Sequence, residues 1–346
     1  MMIGLIGCGT VGRGLLELLT EKSTVLARKY NFKPTIVAIS DPKVGSTYSK
    51  EGLDVKEILS LLEKDGNIKN YRGVVTGWDS IKTIKESNAD TIVEATSTNL
   101  ETGEPGLTFI RTALKNGKNV ATTNKGPIAL AYRELRNLAL SNECELRFEG
   151  SVLAGTPVIN LFQSTLRGIE IKEVRGILNG TTNYILTKME SGMSYKEALK
   201  EAKEKGYAEA KSDVDVKGWD AVAKIIIIAN VLMEGNVNII EVERRGIDSI
   251  SEEEFQRALK DNKHWKLIAR AKRVDGKIKA SVVPEALPDH DLLSKITGVT
   301  NAINFKTDVL GDVTISGPGA GRRETGFALL SDLIDINSRK AGKCQP

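Results

Sequence analysis

Residues that build disulfide-rich or zinc-bound folds are scarce in this sequence. Among its 346 residues there are only three cysteines, Cys8, Cys144 and Cys344, and no two of them form a Cys-x-x-Cys pair. Such a set offers neither a disulfide framework nor a zinc site, and it suits a reducing compartment. We therefore expect a cytoplasmic protein.

The sequence also lacks features for membranes or nucleic acids. Its most apolar run, residues 221–233, is interrupted by Lys224 and Asn230 and is too short to span a bilayer. The N-terminus, MMIGLIGCG, enters a strand pattern without a basic segment, which argues against a signal peptide. The formal net charge is only +4, and the basic residues are spread along the chain. We therefore expect neither a membrane nor a nucleic acid as a partner.

Histidine is nearly absent, which narrows the possible chemistry. The two histidines, His264 and His290, lie outside every motif described below, and there is no Gly-x-Ser-x-Gly or Cys–His arrangement. Nucleophilic hydrolysis is therefore unsupported. Lysine is a better candidate than histidine for an acid–base group.

The first 150 residues alternate between short apolar runs and helical stretches. This alternation predicts a parallel sheet covered by helices, and so an α/β fold. The predicted strands cover residues 2–6, 35–40, 90–96, 119–124 and 145–150. The predicted helices include Thr10 to about Arg28, 106–116 and 128–141.

The pattern changes beyond the first 150 residues. Helical patterns dominate residues 156–262, and residues 265–285 resemble a hairpin that turns at VDGK, because Asp-Gly is a strong hairpin signal. A glycine-rich turn and an amphipathic helix follow. We predict a dinucleotide-binding domain over 1–150, an α+β substrate-binding and dimerisation domain over 151–318, and a final helix, about 319–338, that returns to the first domain.

A glycine-rich motif, GCGTVG, lies between the first strand and the first helix. In a Gly-x-Gly-x-x-Gly run the three glycines allow a tight turn, close approach of a pyrophosphate, and close packing of helix on strand. The helix N-terminus then offers N–H groups to phosphate oxygens. A glycine-rich turn without a ligand is the alternative. The motif predicts a Rossmann-type domain with cofactor contacts at Gly7, Gly9, Thr10, Val11 and Gly12.

An acidic residue follows the second strand, where the adenosine ribose of a dinucleotide should lie. Asp41 could accept hydrogen bonds from the ribose hydroxyls, which favours NAD over NADP. Lys43 could instead pair with a 2′-phosphate. A simple turn at Asp41-Pro42 is a third possibility. The choice between NAD and NADP stays open at this level.

Two later strands end in polar residues that point to the same edge of the sheet. Ligands of open parallel sheets bind beyond the carboxyl ends of the strands. Thr96 and Ser97, and then Asn124 and Lys125, occupy those ends. We expect them in the cofactor site, although a lysine in a solvated loop is the commoner case.

A single cation precedes an isoleucine run in DVKGWDAVAKIIII. In a helix over 218–233, Lys224 has Asp220 one turn before it and an otherwise apolar face. Burial lowers the pKa of a lysine and a nearby carboxylate raises it, which suits an acid–base group. A structural ion pair on a solvated face is the alternative. Glu209, Asp213 and Asp215 precede this helix and are either solvated or hold a substrate ammonium group.

These motifs together resemble those of homoserine dehydrogenase over almost the whole chain. The blocks that carry the resemblance are GLIGCGTVGRGLLELL, TNKGPIA, EGSVLAGTPVI, GILNGTTNYIL, KGYAEA, DVDVKGWDAVAKIII and SGPGAG. The resemblance implies reversible NAD(P)H-dependent reduction of L-aspartate 4-semialdehyde to L-homoserine, in threonine and methionine biosynthesis. A related amino-acid dehydrogenase, such as one acting on aspartate, and a non-catalytic dinucleotide sensor are the rival interpretations.

The resemblance also implies roles for individual residues. Lys224 resembles the acid–base lysine and Lys125 a second lysine at the reacting oxygen. The implied substrate contacts are Glu209, Asp220, Asp215, Thr181, Gly180 and Tyr207, in part beside a loop that starts at Asn179. Further implied cofactor contacts are Gly206 and Gly321. The implied site for a monovalent cation such as sodium is Glu149, Val152, Ala154 and Thr156, unless that segment is only a turn entering a helix.

The chain departs from the family pattern in one segment. The family usually has Glu-Ala-Asp-Pro where this chain has Glu209-Ala210-Lys211-Ser212, so a cation replaces an acid and a rigid proline is lost.

The resemblance also implies a homodimer, and the strand-rich segment 265–310 could extend a sheet across a two-fold axis. Cys344 would then lie near its mate, although a disulfide is disfavoured in a reducing cytosol.

Overall fold

The computed structural model describes residues 1–72, 74–208 and 213–340 of the chain. Its contacts divide the chain into two compact units, Met1–Gly155 with Gly321–Pro346, and Thr156–Ala320. No helix among the described residues is both long enough and apolar enough to cross a membrane.

The first unit is built on a seven-stranded sheet of order β4-β3-β2-β1-β5-β6-β7. Strands β2, β1, β5, β6 and β7 are parallel, as the alternation of strands and helices predicts. Strands β3 and β4 add to the β2 edge in antiparallel order. The elements are β1 Met2–Ile6, α1 Thr10–Glu21, α2 Ser23–Tyr30, β2 Thr35–Asp41, β3 Gly45–Tyr48, α3 Val55–Lys64, β4 Val75–Thr76, α4 Ser80–Glu86, β5 Thr91–Glu94, α5 Gly106–Lys115, β6 Asn119–Thr122, α6 Lys125–Ser141, β7 Leu146–Arg147 and α7 Gly150–Leu153.

Two predicted elements of this unit differ from the structure. The helix predicted from Thr10 to Arg28 breaks at Lys22, which ends α1 and precedes α2 with φ −96° and ψ 5°. The strand predicted over 145–150 is only two residues long, because Gly150 already begins α7. The second difference lies at an element boundary, the part of an element that is hardest to assign.

The second unit contains a six-stranded sheet of order β13-β12-β8-β10-β11-β9. Its elements are β8 Ile171–Ile177, α8 Gly180–Glu190, α9 Tyr195–Glu204, α10 Asp213–Val216, α11 Trp219–Leu232, β9 Glu243–Arg244, α12 Glu252–Lys260, β10 Lys263–Val274, β11 Lys277–Pro288, β12 Thr300–Thr307 and β13 Asp312–Pro318, with a π turn at Leu161–Thr165 and 3-10 turns at Ile239–Glu241, Ile247–Ser249 and Leu292–Lys295.

The hairpin predicted at VDGK is confirmed as β10 and β11. Asp275 and Gly276 form its two-residue turn with φ of 50° and 75°, the left-handed pair that matches the twist of the strands. The helix-dominated interpretation of 156–262 missed β8, which lies between β12 and β10. In β8, Val174, Gly176 and Ile177 share strand IKEVRGI with three charged residues, so its apolar alternation is weak.

Helix α13, Arg322–Lys340, belongs to the first unit and packs along α1. The two helices approach so closely that a Cβ on Gly14 would lie 2.2 Å from the carbonyl oxygen of Arg322. Arg322 pairs with Glu17, and Arg323 pairs with Glu21 at 2.7 Å. Glycine at position 14 is therefore what permits this crossing.

Candidate active site

The glycine-rich loop of the first unit is shaped for a phosphate group. Gly7 has φ of +91°, and a Cβ there would lie 2.6 Å from the carbonyl oxygen of Ala95. A Cβ on Gly12 would lie 2.4 Å from the Gly7 oxygen, whereas the space above Gly9 is open. Helix α1 begins without a side-chain cap or an acidic residue in its first turn, so its N-terminal N–H groups suit a pyrophosphate.

Asp41, at the end of β2, is held by the backbone around it. One carboxylate oxygen accepts from the Cys8 N–H at 2.8 Å, inside the glycine-rich loop. The other accepts from the N–H groups of Lys43 at 2.8 Å and Val44 at 3.0 Å. The carboxylate therefore joins the end of β2 to the glycine-rich loop and has a fixed orientation.

The ends of β5 and β6 bring polar residues together at one edge of the sheet. Glu94, the last residue of β5, accepts from the Thr96 N–H at 2.9 Å and also from the Thr96 hydroxyl. Asn124 follows β6 and caps α6, whose first residue is Lys125. Ser97 lies in the exposed loop after β5. The Thr122 hydroxyl at the end of β6 donates to Glu94 Oε2 at 2.7 Å, which joins the ends of the two neighbouring strands.

Lys224 lies in helix α11 of the second unit and is only 6% exposed. Its Nζ is 2.8 Å from Asp220 Oδ2, one turn earlier, and donates to the Leu178 carbonyl oxygen at 2.6 Å. The four residues Ile225–Ile228 that follow are fully buried. The lysine is therefore held by oxygen acceptors inside an apolar helix rather than on a solvated face.

Asn179 joins two acidic residues near Lys224. Its Nδ2 donates to Asp215 Oδ1 at 2.8 Å and to Asp220 Oδ2 at 3.0 Å. Burial, followed by repulsion from Asp220, raises the pKa of Asp215, and the hydrogen bond from Asn179 opposes that shift. Two carboxyl groups thus share one amide, and one of them also pairs with Lys224. Paired carboxyl groups can hold the ammonium group of an amino acid.

The residues predicted beside the substrate lie at the start of α8 and in the turn that follows α9. The Thr181 hydroxyl donates to the Tyr207 carbonyl oxygen at 2.6 Å. Gly180 begins α8, and a Cβ there would lie 2.6 Å from the Val299 carbonyl oxygen. Gly206, with φ of +72°, lies two residues beyond the end of α9. These contacts tie the turn after α9 to the N-terminus of α8.

The segment predicted to bind a cation contains an unusual backbone conformation. Ala154 has φ of +48°, a value rare for a residue with a side chain. Glu149 is 3% exposed, and its N–H donates to Asp332 Oδ2 at 3.0 Å. Thr156, in the second unit, donates from its hydroxyl to the Pro318 carbonyl oxygen at 2.9 Å. Across the described ranges there is no group of three His, Cys, Asp or Glu residues that could hold a metal ion.

Each unit of the structure contains a subset of the predicted site residues. The first unit holds Gly7, Gly9, Thr10, Val11, Gly12, Asp41, Lys43, Thr96, Ser97, Asn124, Lys125, Gly321, Glu149, Val152 and Ala154. The second holds Thr156, Gly180, Thr181, Gly206, Tyr207, Asp215, Asp220 and Lys224. Glu209, the neighbouring Lys211 and Ser212, and Cys344 lie outside the described residues.

Glu94 and the double contact of Asn179 were not found by sequence reasoning. In the sequence Glu94 is a polar residue at the end of an apolar strand. Its position two residues before Thr96 was the signal that could have placed it near the cofactor site. The contacts of Asn179 join it to residues 36 and 41 positions away, which no local pattern indicates.

Models of the homoserine dehydrogenase family match nearly the whole chain. The model for the NAD-binding domain of homoserine dehydrogenase matches residues 7–149, and the model for homoserine dehydrogenase matches residues 157–334. The chain belongs to the homoserine dehydrogenase family.

Relatives of this homoserine dehydrogenase family member match nearly all of its length. It is 42% identical to an NAD(+)-dependent homoserine dehydrogenase of Pseudomonas canavaninivorans, over 99% of this chain and 97% of the relative. It is 44% identical to a homoserine dehydrogenase of Methanocaldococcus jannaschii, over 98% and 100%. A hyperthermophilic archaeal homoserine dehydrogenase in complex with NADPH matches with a TM-score of 0.83 at 31% identity, over 98% of each chain. The α/β fold with an NAD(P)-binding domain is thereby confirmed.

Proposed function

We propose that this chain catalyses the reversible reduction of L-aspartate 4-semialdehyde to L-homoserine with NAD(P)H, as a step of threonine and methionine biosynthesis. Membership of the homoserine dehydrogenase family supports this reaction. The observation that carries it is the buried Lys224, whose ammonium group is held between Asp220 and the Leu178 carbonyl oxygen. A rival dinucleotide sensor would have no need of a buried lysine so arranged.

The first unit holds the dinucleotide in this proposal. Free N–H groups at the start of α1 bind the pyrophosphate, and Asp41 accepts from the adenosine ribose. Thr96, Ser97 and Asn124, at the ends of β5 and β6, contact the nicotinamide half, with Gly206 and Gly321 as further contacts. The bound cofactor supplies a hydride to the aldehyde carbon or accepts one from the alcohol carbon.

Lys224 is the general acid and base of the proposed reaction. As the aldehyde carbon is reduced, its oxygen becomes an alkoxide that needs a proton and nearby positive charge. The Lys224 ammonium group donates that proton, and the neutral amine takes it back in the reverse direction. The isoleucine run behind it keeps water away and fixes the amine. Lys125 provides the second positive charge at the same oxygen.

Acidic residues hold the amino group of the substrate. Asp220 and Asp215 are fixed by the Asn179 amide, and they present carboxyl oxygens to an ammonium group. Thr181, Gly180, Tyr207 and Glu209 contact the same substrate. Lys211 and Ser212 replace the acid and the proline usual in the family, so substrate affinity is expected to differ from that of other members.

A monovalent cation such as sodium fits the segment from Glu149 to Thr156. The donors there are oxygen atoms of the backbone and of Glu149, which hard cations prefer. The positive φ of Ala154 marks a turn of the chain within this segment. A cation would stabilise that turn and takes no part in the proton or hydride transfer.

One assay separates the proposed activity from its rivals. Purified protein is mixed with NADH or NADPH and either aspartate semialdehyde, or oxaloacetate with ammonia. Oxidation of the cofactor with aspartate semialdehyde alone is the expected result. Oxidation with oxaloacetate and ammonia indicates an aspartate dehydrogenase, and oxidation with neither indicates a dinucleotide sensor.

A further inference from the structure

Glu94 is a buried carboxyl group at the edge of the first sheet that the proposed chemistry does not use. It ends β5 and is 0% exposed. Its Oε1 accepts from the Thr96 N–H at 2.9 Å, and its Oε2 accepts from the Thr122 hydroxyl at 2.7 Å. Throughout the described part of the chain, no lysine or arginine forms an ion pair with it. A buried carboxyl group of this kind is costly and calls for a compensating role.

The hydrogen bonds of Glu94 continue to Asn124 by two routes. The Thr122 hydroxyl accepts from the Asn124 N–H at 3.0 Å, so its single proton is available for Glu94. The Asn124 Nδ2 also lies 3.4 Å from Glu94 Oε1, a long direct contact. The first contact holds the Asn124 backbone, and the second favours the amide orientation in which Nδ2 faces Glu94.

The orientation of Asn124 in turn determines the start of α6. Its Oδ1 accepts from the Gly126 N–H at 3.2 Å and so caps the helix whose first residue is Lys125. A flipped amide would present a donor to the Gly126 N–H and lose this cap. Glu94 accepts from the Nδ2 side and therefore disfavours the flip.

Helix α5 seals this network from solvent. Its first residue is Gly106, and a Cβ there would lie 2.5 Å from Asn124 Nδ2 and 3.3 Å from Glu94 Oε1. Only a glycine lets α5 approach so closely. The backbone of α5 thus excludes water that could replace the acceptors of the network.

We infer that Glu94 is a positioning residue of the reaction, which fixes Thr96 and Asn124 and, through the cap of α6, the backbone of Lys125. The inference rests on the proposed function, in which those three residues contact the cofactor and the reacting oxygen. Burial raises the pKa of Glu94 above its usual value, and the hydrogen bonds from Thr96, Thr122 and Asn124 offset that rise only in part.

A double-mutant cycle tests whether Glu94 acts through Asn124. Glu94→Gln keeps the size of the side chain but replaces one acceptor oxygen with a donor. We expect kcat to fall about 10- to 100-fold in the wild-type background. In the Asn124→Ala background the same substitution should change kcat by less than about threefold, because the link is already lost. Full, additive losses in both backgrounds would overturn the inference.

Hydrogen exchange of the cofactor-free protein gives a readout independent of turnover. The Gly126 amide should exchange faster in Glu94→Gln and in Asn124→Ala than in the wild type. Thr122→Val removes the hydroxyl that links Glu94 to the Asn124 N–H and leaves the carboxyl group in place. It should also speed the exchange of Gly126, and it replaces Glu94→Gln in this test if that variant does not fold. Unchanged Gly126 exchange in both Glu94→Gln and Thr122→Val would refute the positioning role.

Thr91→Val serves as the matched control. Thr91 is equally buried on the same strand, but it lies at the opposite end of β5 and donates to Asp90. It should alter neither kcat nor the exchange of Gly126. If the wild-type protein does not reduce aspartate semialdehyde, the proposed function fails, whereas the exchange experiment still decides the role of Glu94 in holding α6.

Discussion

A buried lysine destabilises a protein unless oxygen acceptors surround its ammonium group. Lys224 has at least two such acceptors within 2.8 Å, the Asp220 carboxylate and the Leu178 carbonyl oxygen. The Asp220 carboxylate and the Leu178 carbonyl oxygen therefore offset the cost of burying the ammonium group in an apolar helix. At the scale of single residues, the proposed acid–base role rests on this arrangement.

Lys224→Ala should abolish most of the turnover without loss of cofactor binding. Removal of an acid–base group typically lowers kcat by about a hundredfold or more. The dissociation constant for NADH, measured by fluorescence, should stay close to the wild-type value because Lys224 lies outside the glycine-rich loop. Lys217→Ala is the control, because that lysine also pairs with an aspartate one turn before it, Asp213, but is half-exposed. Near wild-type kcat in Lys224→Ala would remove the lysine from the mechanism.

The geometry of Asp41 supports a preference for NAD. Its fixed carboxylate can accept from the 2′- and 3′-hydroxyls of a ribose, whereas a 2′-phosphate there meets like charge. Asp41→Ala should therefore lower kcat/KM with NAD more than with NADP, measured at equal ionic strength. Lys43→Ala is the companion variant and should leave that ratio unchanged. A tenfold preference of the wild type for NADP would contradict this role of Asp41 and favour Lys43.

Asp215 should make the stability of the protein depend on pH. Its pKa is raised by burial and by Asp220, so the folded chain holds that proton more tightly than the unfolded chain. The resulting stability is fully present below the unfolded pKa, about 3.9, and is lost as pH rises through the folded pKa.

Asp215→Asn removes this ionisation and keeps an oxygen that can accept from Asn179. Urea unfolding should show the variant to be more stable than the wild type at pH 7, with the difference shrinking towards pH 4. The KM for aspartate semialdehyde should rise in the same variant, because a carboxylate that faces the substrate ammonium group is lost. A stability difference that is the same at both pH values would be inconsistent with the raised pKa.

At the scale of elements, the contact of α1 with α13 joins the two ends of the first unit. Gly14 has no room for a Cβ, which would lie 2.2 Å from the carbonyl oxygen of Arg322. Gly14→Ala should force the helices apart and lower the free energy of unfolding by about 1–3 kcal/mol. Val25→Ala, at an exposed position on α2, should change it by less than about 0.5 kcal/mol. Equal stability of the two variants in urea would show that the helices can separate without cost.

The second sheet shows how an element can escape sequence analysis. Strands β10 and β11 were predicted because Asp275-Gly276, a typical hairpin turn, lies between them. Strand β8 was not found, although it has neighbours on both sides, because residues of both signs interrupt its apolar pattern. Partners far along the chain, β10 and β12, stabilise it instead.

At the scale of the whole molecule, we expect a homodimer. The family resemblance suggests one, and strands β13 and β9 lie at the edges of the second sheet, where unpaired backbone groups are available to another chain. Sedimentation velocity at micromolar concentration should give a mass near 75 kDa, about twice the 37.6 kDa of the chain. A single species at the mass of the chain would contradict this expectation.

The sequence alone determined the features that depend on near neighbours in the chain. The spacing of GCGTVG between a strand and a helix, the one-turn spacing of Asp220 and Lys224, and the Asp-Gly turn each encode their structure within a few residues. Tertiary structure alone decided which distant side chains share a hydrogen-bond network. Glu94 meets Thr122, and Asn179 meets Asp215 and Asp220, because sheet order and helix packing bring together residues about 30 to 40 positions apart. Local periodicity carries no information about such pairings.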